Sequence, residues 1–193
     1  MLSQWRAILL DETVCVRGPN SPMKPPFCLI LKGPSAVGKT SIAEGVALRL
    51  IEHKLARMRG DFYAHLVYGC SYKEEEIDLK YENMVLVGES LLRHGYSLIV
   101  DDFFRREVDV AVVSGMLARW KLPLLVVDLK AAVEILLRRN ATRCEFDKMP
   151  EERIRAYPQI AAAVHWPGEV LRDTSMDSLE TSVRFVVEEL MRR

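Results

Sequence analysis

The stretch FCLILKGPSAVGKTSIAEGV, residues 27–46, constrains the fold more than any other part of the sequence. Residues 27–31 form a continuous apolar run of the length of a buried strand, and apolar residues spaced by four follow from Ile42 onward. Between these two patterns lies G-x-x-x-x-G-K-T, with glycines at 33 and 38. The stretch therefore predicts a strand, a glycine loop and a helix that begins near Lys39.

A loop of this pattern is suited to binding phosphate. Its backbone N–H groups can surround phosphate oxygens, and the start of the following helix adds partial positive charge. Lys39 would supply a full charge for the β- and γ-phosphates, and the Thr40 hydroxyl could bind Mg²⁺. We predict that ATP and Mg²⁺ bind here, with nucleotide contacts from Gly33, Pro34, Ser35, Ala36, Val37, Gly38, Lys39, Thr40 and Ser41.

Strand-like and helix-like segments alternate along the rest of the chain. Predicted strands cover residues 27–31, 62–68, 98–100, 124–127 and 169–172, and predicted helices cover 40–58, 74–94, 108–120, 131–140, 151–164 and 177–191. The helix over 151–164 would be kinked or split at Pro158, and Asp177 with Glu180 resembles a capping box. The pattern predicts an α/β three-layer sandwich with a parallel sheet of about five strands.

Two carboxylates follow an apolar strand in SLIVDDFF, at Asp101 and Asp102. An acid at the end of a strand beside the phosphate loop can help to hold Mg²⁺. We predict catalytic roles for both aspartates and assign Asp101, with Thr40, to the metal.

An arginine-rich segment follows the fourth predicted strand. Arg139 and Arg143 are four residues apart and would share a helix face. Cations around a migrating phosphoryl group stabilise the charge on its oxygens, and a mobile segment excludes water. The sequence predicts an arginine-bearing lid over residues 139–150, with Arg139 and Arg143 as catalytic residues.

Composition limits the other possibilities. The chain of 193 residues has a formal net charge of zero, so it lacks the overall basic charge typical of nucleic-acid-binding domains. Its four cysteines form no C-x-x-C pair, and no apolar stretch is long enough to span a membrane. We expect a cytoplasmic protein without a membrane anchor or a zinc site.

Residues 1–26 form a separate region in the predicted domain organisation. A weak amphipathic pattern over residues 2–16 predicts a short helix, and the proline-rich residues 17–26 predict an irregular connector. The remaining residues, 27–193, are predicted to form the nucleotide-binding domain.

Together, LILKGPSAVGKTSI, SLIVDDFF, LPLLVVDLKAAVEILLRRNATR and VHWPGEVLRDTS resemble P-loop kinases of the nucleoside-monophosphate-kinase type, and chloramphenicol phosphotransferase and its relatives in particular. The resemblance implies a P-loop NTPase fold and an ATP-dependent kinase that phosphorylates a hydroxyl. It also implies adenine contacts near Asp173, Thr174 and Ser175, and a histidine, here His165, before the last strand.

One feature departs from that family, in which an aspartate after the second strand acts as general base. With the second strand predicted at residues 62–68, the expected position is occupied by Gly69, Cys70 and Ser71. Asp78 lies nearby at the start of the next helix, and Asp101 or Asp102 could replace the missing base. Tyr63, Tyr68 and Tyr72 could line the acceptor pocket.

Three functions remain open from the sequence. The first is a kinase that transfers the γ-phosphate of ATP to a small-molecule hydroxyl. The second is a polynucleotide 5′-hydroxyl kinase, which can share this core. The third is a nucleotide-switched ATPase or binding protein, for which the missing aspartate is the best support.

Overall fold

The computed structural model of the protein describes residues 25–193. Its strands are β1 (Cys28–Lys32), β2 (Leu55–Arg59), β3 (Ser97–Asp102), β4 (Leu124–Lys130) and β5 (Val170–Asp173). Its helices are α1 (Lys39–Arg49), α2 (Gly60–Ala64), α3 (Glu74–Arg93), α4 (Glu107–Ala118), α5 (Val133–Ala141), α6 (Glu151–Ala162) and α7 (Leu179–Met191), and a 3₁₀ turn covers Glu145–Asp147. The helix predicted for residues 2–16 lies outside the described residues.

The five strands form one parallel sheet in the order β2-β3-β1-β4-β5. The predicted α/β sheet architecture is confirmed. Strand β1 lies at the centre, where Leu31 pairs with Asp101 of β3 and with Val127 of β4. The carboxyl end of β1, where the glycine loop begins, is therefore flanked by the ends of β3 and β4, as ligand sites in parallel sheets commonly are.

Apolar side chains cover both faces of the sheet. Alternate residues of a strand face opposite sides, so Leu29 and Leu31 pack on α1 and α7, whereas Cys28 and Ile30 pack on α3 and α4. Burying one such aliphatic side chain stabilises the fold by roughly 1.5–3 kcal/mol. Among the described residues, none of the helices has the length and apolar character needed to cross a lipid bilayer.

The second strand is the main correction to the sequence prediction. It lies at Leu55–Arg59, not at residues 62–68, and α1 ends at Arg49 rather than continuing to residue 58. β2 is an edge strand in which only Met58 is buried. Two of its five residues are arginines, so its sequence lacks the apolar run that identifies β1, β3 and β4. Residues 62–68 instead complete the short helix α2 and a turn.

Two further details differ from the sequence prediction. Helix α6 continues through Pro158 without splitting. Helix α7 is capped by Ser178, whose hydroxyl accepts a hydrogen bond from the Thr181 N–H, rather than by Asp177. Asp177 pairs with Arg172 at 2.6 Å and so helps to hold the segment between β5 and α7.

Candidate active site

The glycine loop connects β1 to α1 in the predicted order. Gly33 and Gly38 have φ values of +138° and +108°, in a region that disfavours side chains. A Cβ on Gly33 would also lie 2.3 Å from the carbonyl oxygen of Leu129. Both glycines are therefore required by the path of the backbone.

The Lys39 ammonium lies against the start of the same loop. It donates hydrogen bonds to the carbonyl oxygens of Gly33 at 2.8 Å and Pro34 at 2.9 Å. Burial lowers the pKa of Lys39, and the charges of Asp102, Asp101 and Asp61 oppose that shift. Lys39 is thus a half-buried cation whose charged form is favoured by three carboxylates.

Asp101 faces the loop side of the sheet. Its carboxylate is buried, and Oδ2 accepts hydrogen bonds from Arg57 Nη2 at 3.1 Å and Nε at 3.3 Å. Arg57 also donates to Glu44 of α1 at 2.8 Å. Burial raises the pKa of Asp101, while the charges of Arg57 and Lys39 oppose the rise. Arg57 thus fixes the position of the Asp101 carboxylate beside α1.

Thr40 and Asp101 are the two side chains that the sequence predicts as ligands of a magnesium ion bound with nucleotide. Mg²⁺ in such sites takes most of its ligands from phosphate and water and needs only one or two protein oxygens. Among residues 25–193, no group of three or more His, Cys, Asp or Glu side chains could hold a metal by itself. Two oxygen ligands of this kind are chemically suited to Mg²⁺ that arrives with a triphosphate, and their role stays a prediction.

Asp102 lies on the opposite face of β3. Lys80 donates to its Oδ1 at 2.8 Å, and the Tyr81 hydroxyl donates to Oδ2 at 2.7 Å. Burial alone would raise the pKa of Asp102, but Lys80 and the two hydrogen bonds bring it below its ordinary value. Both oxygens are thus bound within the protein, which favours Asp101 over Asp102 as the acid near the metal.

Gly60, the first residue of α2, packs directly on Asp102. An added Cβ would lie 2.1 Å from Asp102 Oδ1, and Lys80 and Tyr81 prevent that carboxylate from moving away. We expect Gly60→Ala to lower the free energy of unfolding by about 1–3 kcal/mol in urea denaturation. Gly115→Ala, at an exposed helical glycine with nothing within 4 Å, is the control and should not destabilise. Equal stability of the two variants would contradict this packing.

Asp61 is the functional candidate that the sequence analysis missed. It follows β2 by two residues and is exposed in the first turn of α2. Its negative charge acts to raise the pKa of Lys39 and the pKa of Tyr72. Once the second strand is placed at Leu55–Arg59, an aspartate is present where the family resemblance requires one.

The turn at residues 69–71 serves a different purpose. The Glu76 carboxylate accepts hydrogen bonds from the N–H groups of Ser71 at 2.9 Å and Lys73 at 3.0 Å, and from the Ser71 hydroxyl at 3.0 Å. These bonds fix the start of α3. Of the three predicted pocket tyrosines, Tyr63 is buried, Tyr68 is fully exposed, and Tyr72 lies near Asp61.

A cavity of about 410 Å³ lies on the other side of the loop, between the start of α1 and the segment after β5. Thr174, Arg139 and Arg143 line it, together with residues 36–38 of the loop. Asp173 is not among the lining residues, and its carboxylate accepts a hydrogen bond from the Ser175 N–H at 2.7 Å. The cavity lies where the resemblance implies adenine contacts.

The two predicted lid arginines differ in their surroundings. Arg139 Nη1 donates to the Val37 carbonyl at 3.2 Å and to the Thr174 hydroxyl at 3.0 Å, and Nη2 donates to the Thr174 carbonyl at 2.6 Å. Arg143 is exposed and donates to the Asp147 carbonyl at 3.3 Å. Arg139 therefore links the glycine loop to the residue that follows β5. Arg143, whose side-chain hydrogen bond stays within its own loop, is the less constrained of the two side chains.

The segment between α5 and α6 is closed by Asn140. Its side-chain amide donates to the Met149 carbonyl at 2.8 Å, and its side-chain carbonyl accepts from the Met149 N–H at 3.0 Å. Residues 140–149 thus form a loop whose two ends are held together. The lid predicted over 139–150 coincides with this loop, and its movement stays a prediction.

A second buried charge cluster lies beneath the loop. Lys32 is fully buried and donates to the Val164 carbonyl at 2.8 Å and to Glu169 at 2.7 Å, with Asp128 at 3.4 Å. Glu169 also contacts Nδ1 of His165, whose ring is exposed, at 3.3 Å. Lys32 therefore ties the segment before β5 to the central strand, and His165 lies at the surface of this cluster.

Solved structures with the same fold include several kinases. A sugar kinase from Janibacter has a TM-score of 0.67 and 17% identity, with 86% of this chain and 95% of that chain covered. A gluconokinase from Sinorhizobium meliloti 1021 has a TM-score of 0.64 and 16% identity, with 86% and 93% covered. The Mycobacterium tuberculosis APS kinase CysC, solved in complex with AMPPNP and APS, has a TM-score of 0.66 and 17% identity, with 89% and 100% covered. These identities support a shared fold and nothing finer.

The comparison by sequence gives the family. No curated protein is significantly similar to the chain. A family model described as an AAA domain, AAA_33, matches residues 29–162, which is more than half of the chain and includes the glycine loop, Asp61, Asp101 and Arg139. The chain therefore belongs to the AAA_33 family, a family of P-loop kinases.

Proposed function

We propose that the protein is an ATP-dependent kinase that transfers the γ-phosphate to a hydroxyl of a small molecule. One observation carries this proposal: Asp61 follows the end of β2, on the same sheet edge as the glycine loop, and its charge opposes the lowering of the Lys39 pKa by burial. A carboxylate that can accept a proton and a cation that binds phosphate both promote the phosphorylation of a hydroxyl. The kinase neighbours agree with this class of reaction without identifying the acceptor.

Each group has a distinct task in the proposed reaction. Residues 33–41 bind the phosphates through backbone N–H groups, and Lys39 exchanges its loop carbonyls for phosphate oxygens. Thr40 and Asp101 would hold Mg²⁺, with Asp101 fixed by Arg57. Mg²⁺, when bound, offsets the negative charge on the phosphate oxygens. Arg143, exposed in the lid loop, adds a cation near the γ-phosphate.

Transfer forms one bond and breaks another. The acceptor oxygen bonds to the γ-phosphorus while the bond from that phosphorus to the β,γ-bridging oxygen breaks, and ADP leaves. Asp61 accepts the proton that the acceptor hydroxyl loses. The adenine and ribose lie in the cavity lined by Thr174 and Arg139.

The other two functions lose support. The nucleotide-switched binding protein rested on a missing aspartate, and Asp61 now occupies that position. A net charge of zero favours a small-molecule acceptor over a polynucleotide. We also propose a cytoplasmic location, in keeping with the use of ATP and with the free thiols of Cys28, Cys70 and Cys144.

A screen with γ-labelled ATP tests the proposed function. The protein, Mg²⁺ and a metabolite extract are incubated together, and the labelled products are separated and weighed by mass spectrometry. We expect the label in a small molecule that has gained one phosphoryl group. Label found only in inorganic phosphate or in RNA would contradict the proposal. An incubation without protein gives the background.

A further inference from the structure

Two adjacent arginines after β3 have opposite environments. Arg106 is paired with three carboxylates, Glu74 at 3.0 Å, Asp78 at 2.8 Å and Asp109 at 2.5 Å. Arg105 is also half-buried, yet none of the ion pairs or hydrogen bonds within residues 25–193 involves it. Its guanidinium lies over the Tyr72 ring, whose centroid is 5.6 Å from the guanidinium carbon.

The position of Arg105 is fixed by its neighbour in the chain. Phe104 is fully buried and packs edge-on against Trp166, with ring centroids 5.4 Å apart. Its φ of +47° is unusual for a side chain of this size and is maintained by that burial. Because Phe104 is anchored in the core, the half-buried Phe103 and Arg105 on either side of it are held in a defined place.

Arg105 lies on the Asp61 side of the site. The Tyr72 ring that it contacts is hydrogen-bonded through its hydroxyl to His65 Nε2 at 3.1 Å, and His65 directly follows α2, whose first turn holds Asp61. Burial and then the charge of Asp61 raise the pKa of Tyr72, and Arg105 opposes this rise. The Tyr157 ring stacks on the Phe103 ring, with centroids 4.6 Å apart, and Tyr157 also acts to raise the pKa of Tyr72. These contacts bring Arg105 and Tyr72 to the end of α2, and Phe103, which stacks on Tyr157, is two residues from Arg105 in the chain. We place the acceptor of the proposed reaction there.

The cations near the nucleotide are different ones. Arg139 and Arg143 line the cavity beside the glycine loop, and Arg105 is not among the residues that line it. Arg105 is thus available to a ligand other than the nucleotide. A half-buried guanidinium without a carboxylate is costly to desolvate, and its planar donors match an anion of two or three oxygens.

We infer that Arg105 binds an anionic group of the acceptor, so that the substrate is a hydroxyl compound that also carries a carboxylate, phosphate or sulfate. The hydroxyl lies at Asp61, and the anion lies at Arg105 beside Tyr72. Phe103 and Tyr157 provide the apolar wall for the body of the molecule. This inference rests on the proposed kinase function and specifies its substrate class.

Fractionation of the substrate pool tests the inference. A nucleotide-depleted metabolite extract is divided by anion exchange into a neutral and an anionic fraction, and each is incubated with the protein, Mg²⁺ and γ-labelled ATP. We expect a labelled product from the anionic fraction alone. A labelled product from the neutral fraction would overturn the inference and leave the kinase function intact. No product from either fraction would overturn both.

Variants of Arg105 test the residue itself. With the anionic acceptor found in that fraction, Arg105→Ala should raise the acceptor KM by roughly 10- to 100-fold, the effect of losing a charged hydrogen bond. Arg105→Lys should restore part of it, and the KM for ATP should not change. Arg119→Ala, at an exposed arginine paired with Glu89, is the control. An unchanged acceptor KM in a variant that keeps the wild-type unfolding midpoint would overturn the assignment.

Discussion

Replacement of Lys39 by alanine is expected to lower kcat for phosphoryl transfer by roughly 10²- to 10³-fold or more, as removal of a preorganised cation does. Lys39 is the half-buried ammonium whose hydrogen bonds cross the start of the glycine loop. Its loss leaves the backbone N–H groups in place but removes the charge that would follow the γ-phosphate. Steady-state assays of ADP release with the acceptor present measure the effect.

The control for this variant is Lys148→Ala. Lys148 is an exposed lysine of the lid loop, paired with Glu145 at 2.9 Å, so its removal changes the net charge equally. We expect transfer by this variant to stay within a few-fold of wild type. Full ATP-dependent activity of Lys39→Ala would show that the loop does not carry the reaction.

Replacement of Asp61 by asparagine is expected to lower kcat by roughly 10²- to 10⁴-fold, the usual contribution of a general base. Asparagine keeps the shape of the side chain but cannot accept the proton of the acceptor hydroxyl. Because the proposed mechanism assigns Asp61 to the acceptor and not to the nucleotide, and Asp61 does not line the cavity beside the glycine loop, the affinity for ATP should change little. Steady-state kinetics and a nucleotide titration on the same variant separate the two effects.

Asp78→Asn is the matched control for Asp61→Asn. Asp78 is an exposed aspartate at the start of α3, and its partner is Arg106 at 2.8 Å. If Asp78→Asn reduced transfer and Asp61→Asn did not, the base would lie on α3. If neither variant reduced it, positioning and charge alone would account for transfer.

The glycine loop was predictable because its information is local. The spacing of Gly33, Gly38 and Lys39 within one short stretch fixes the turn, the helix start and the cation together. The α/β sheet followed from the alternation of apolar strands and amphipathic helices for the same reason. Neither prediction depended on residues distant in the sequence.

The roles of Asp101 and Asp102 were not separable from the sequence. Both follow the same apolar run, and only the packing on each face of β3 distinguishes them. Arg57, which fixes Asp101, is 44 residues away, and Lys80, which binds Asp102, is 22 residues away. Pairings of this range leave no local pattern.

The misplaced second strand had the largest consequence for function. LARMR at residues 55–59 is an edge strand with one buried residue, whereas FYAHLVY at 62–68 is richer in the aromatic and branched residues typical of strands. Packing decides against a strand at 62–68: Tyr63 and Ala64, both in α2, are buried, whereas Phe62 and Leu66 are exposed. Moving the strand to Leu55–Arg59 identified Asp61.

Calorimetric titration of Mg·ATP into the folded protein tests most directly whether residues 33–41 bind the triphosphate. We predict binding of one nucleotide per chain, with much weaker binding to Lys39→Ala and little change for Lys148→Ala. The titration should be run at two temperatures, because the binding enthalpy can pass through zero at one of them. No heat at either temperature from folded protein would contradict the assignment of a nucleotide site to this loop.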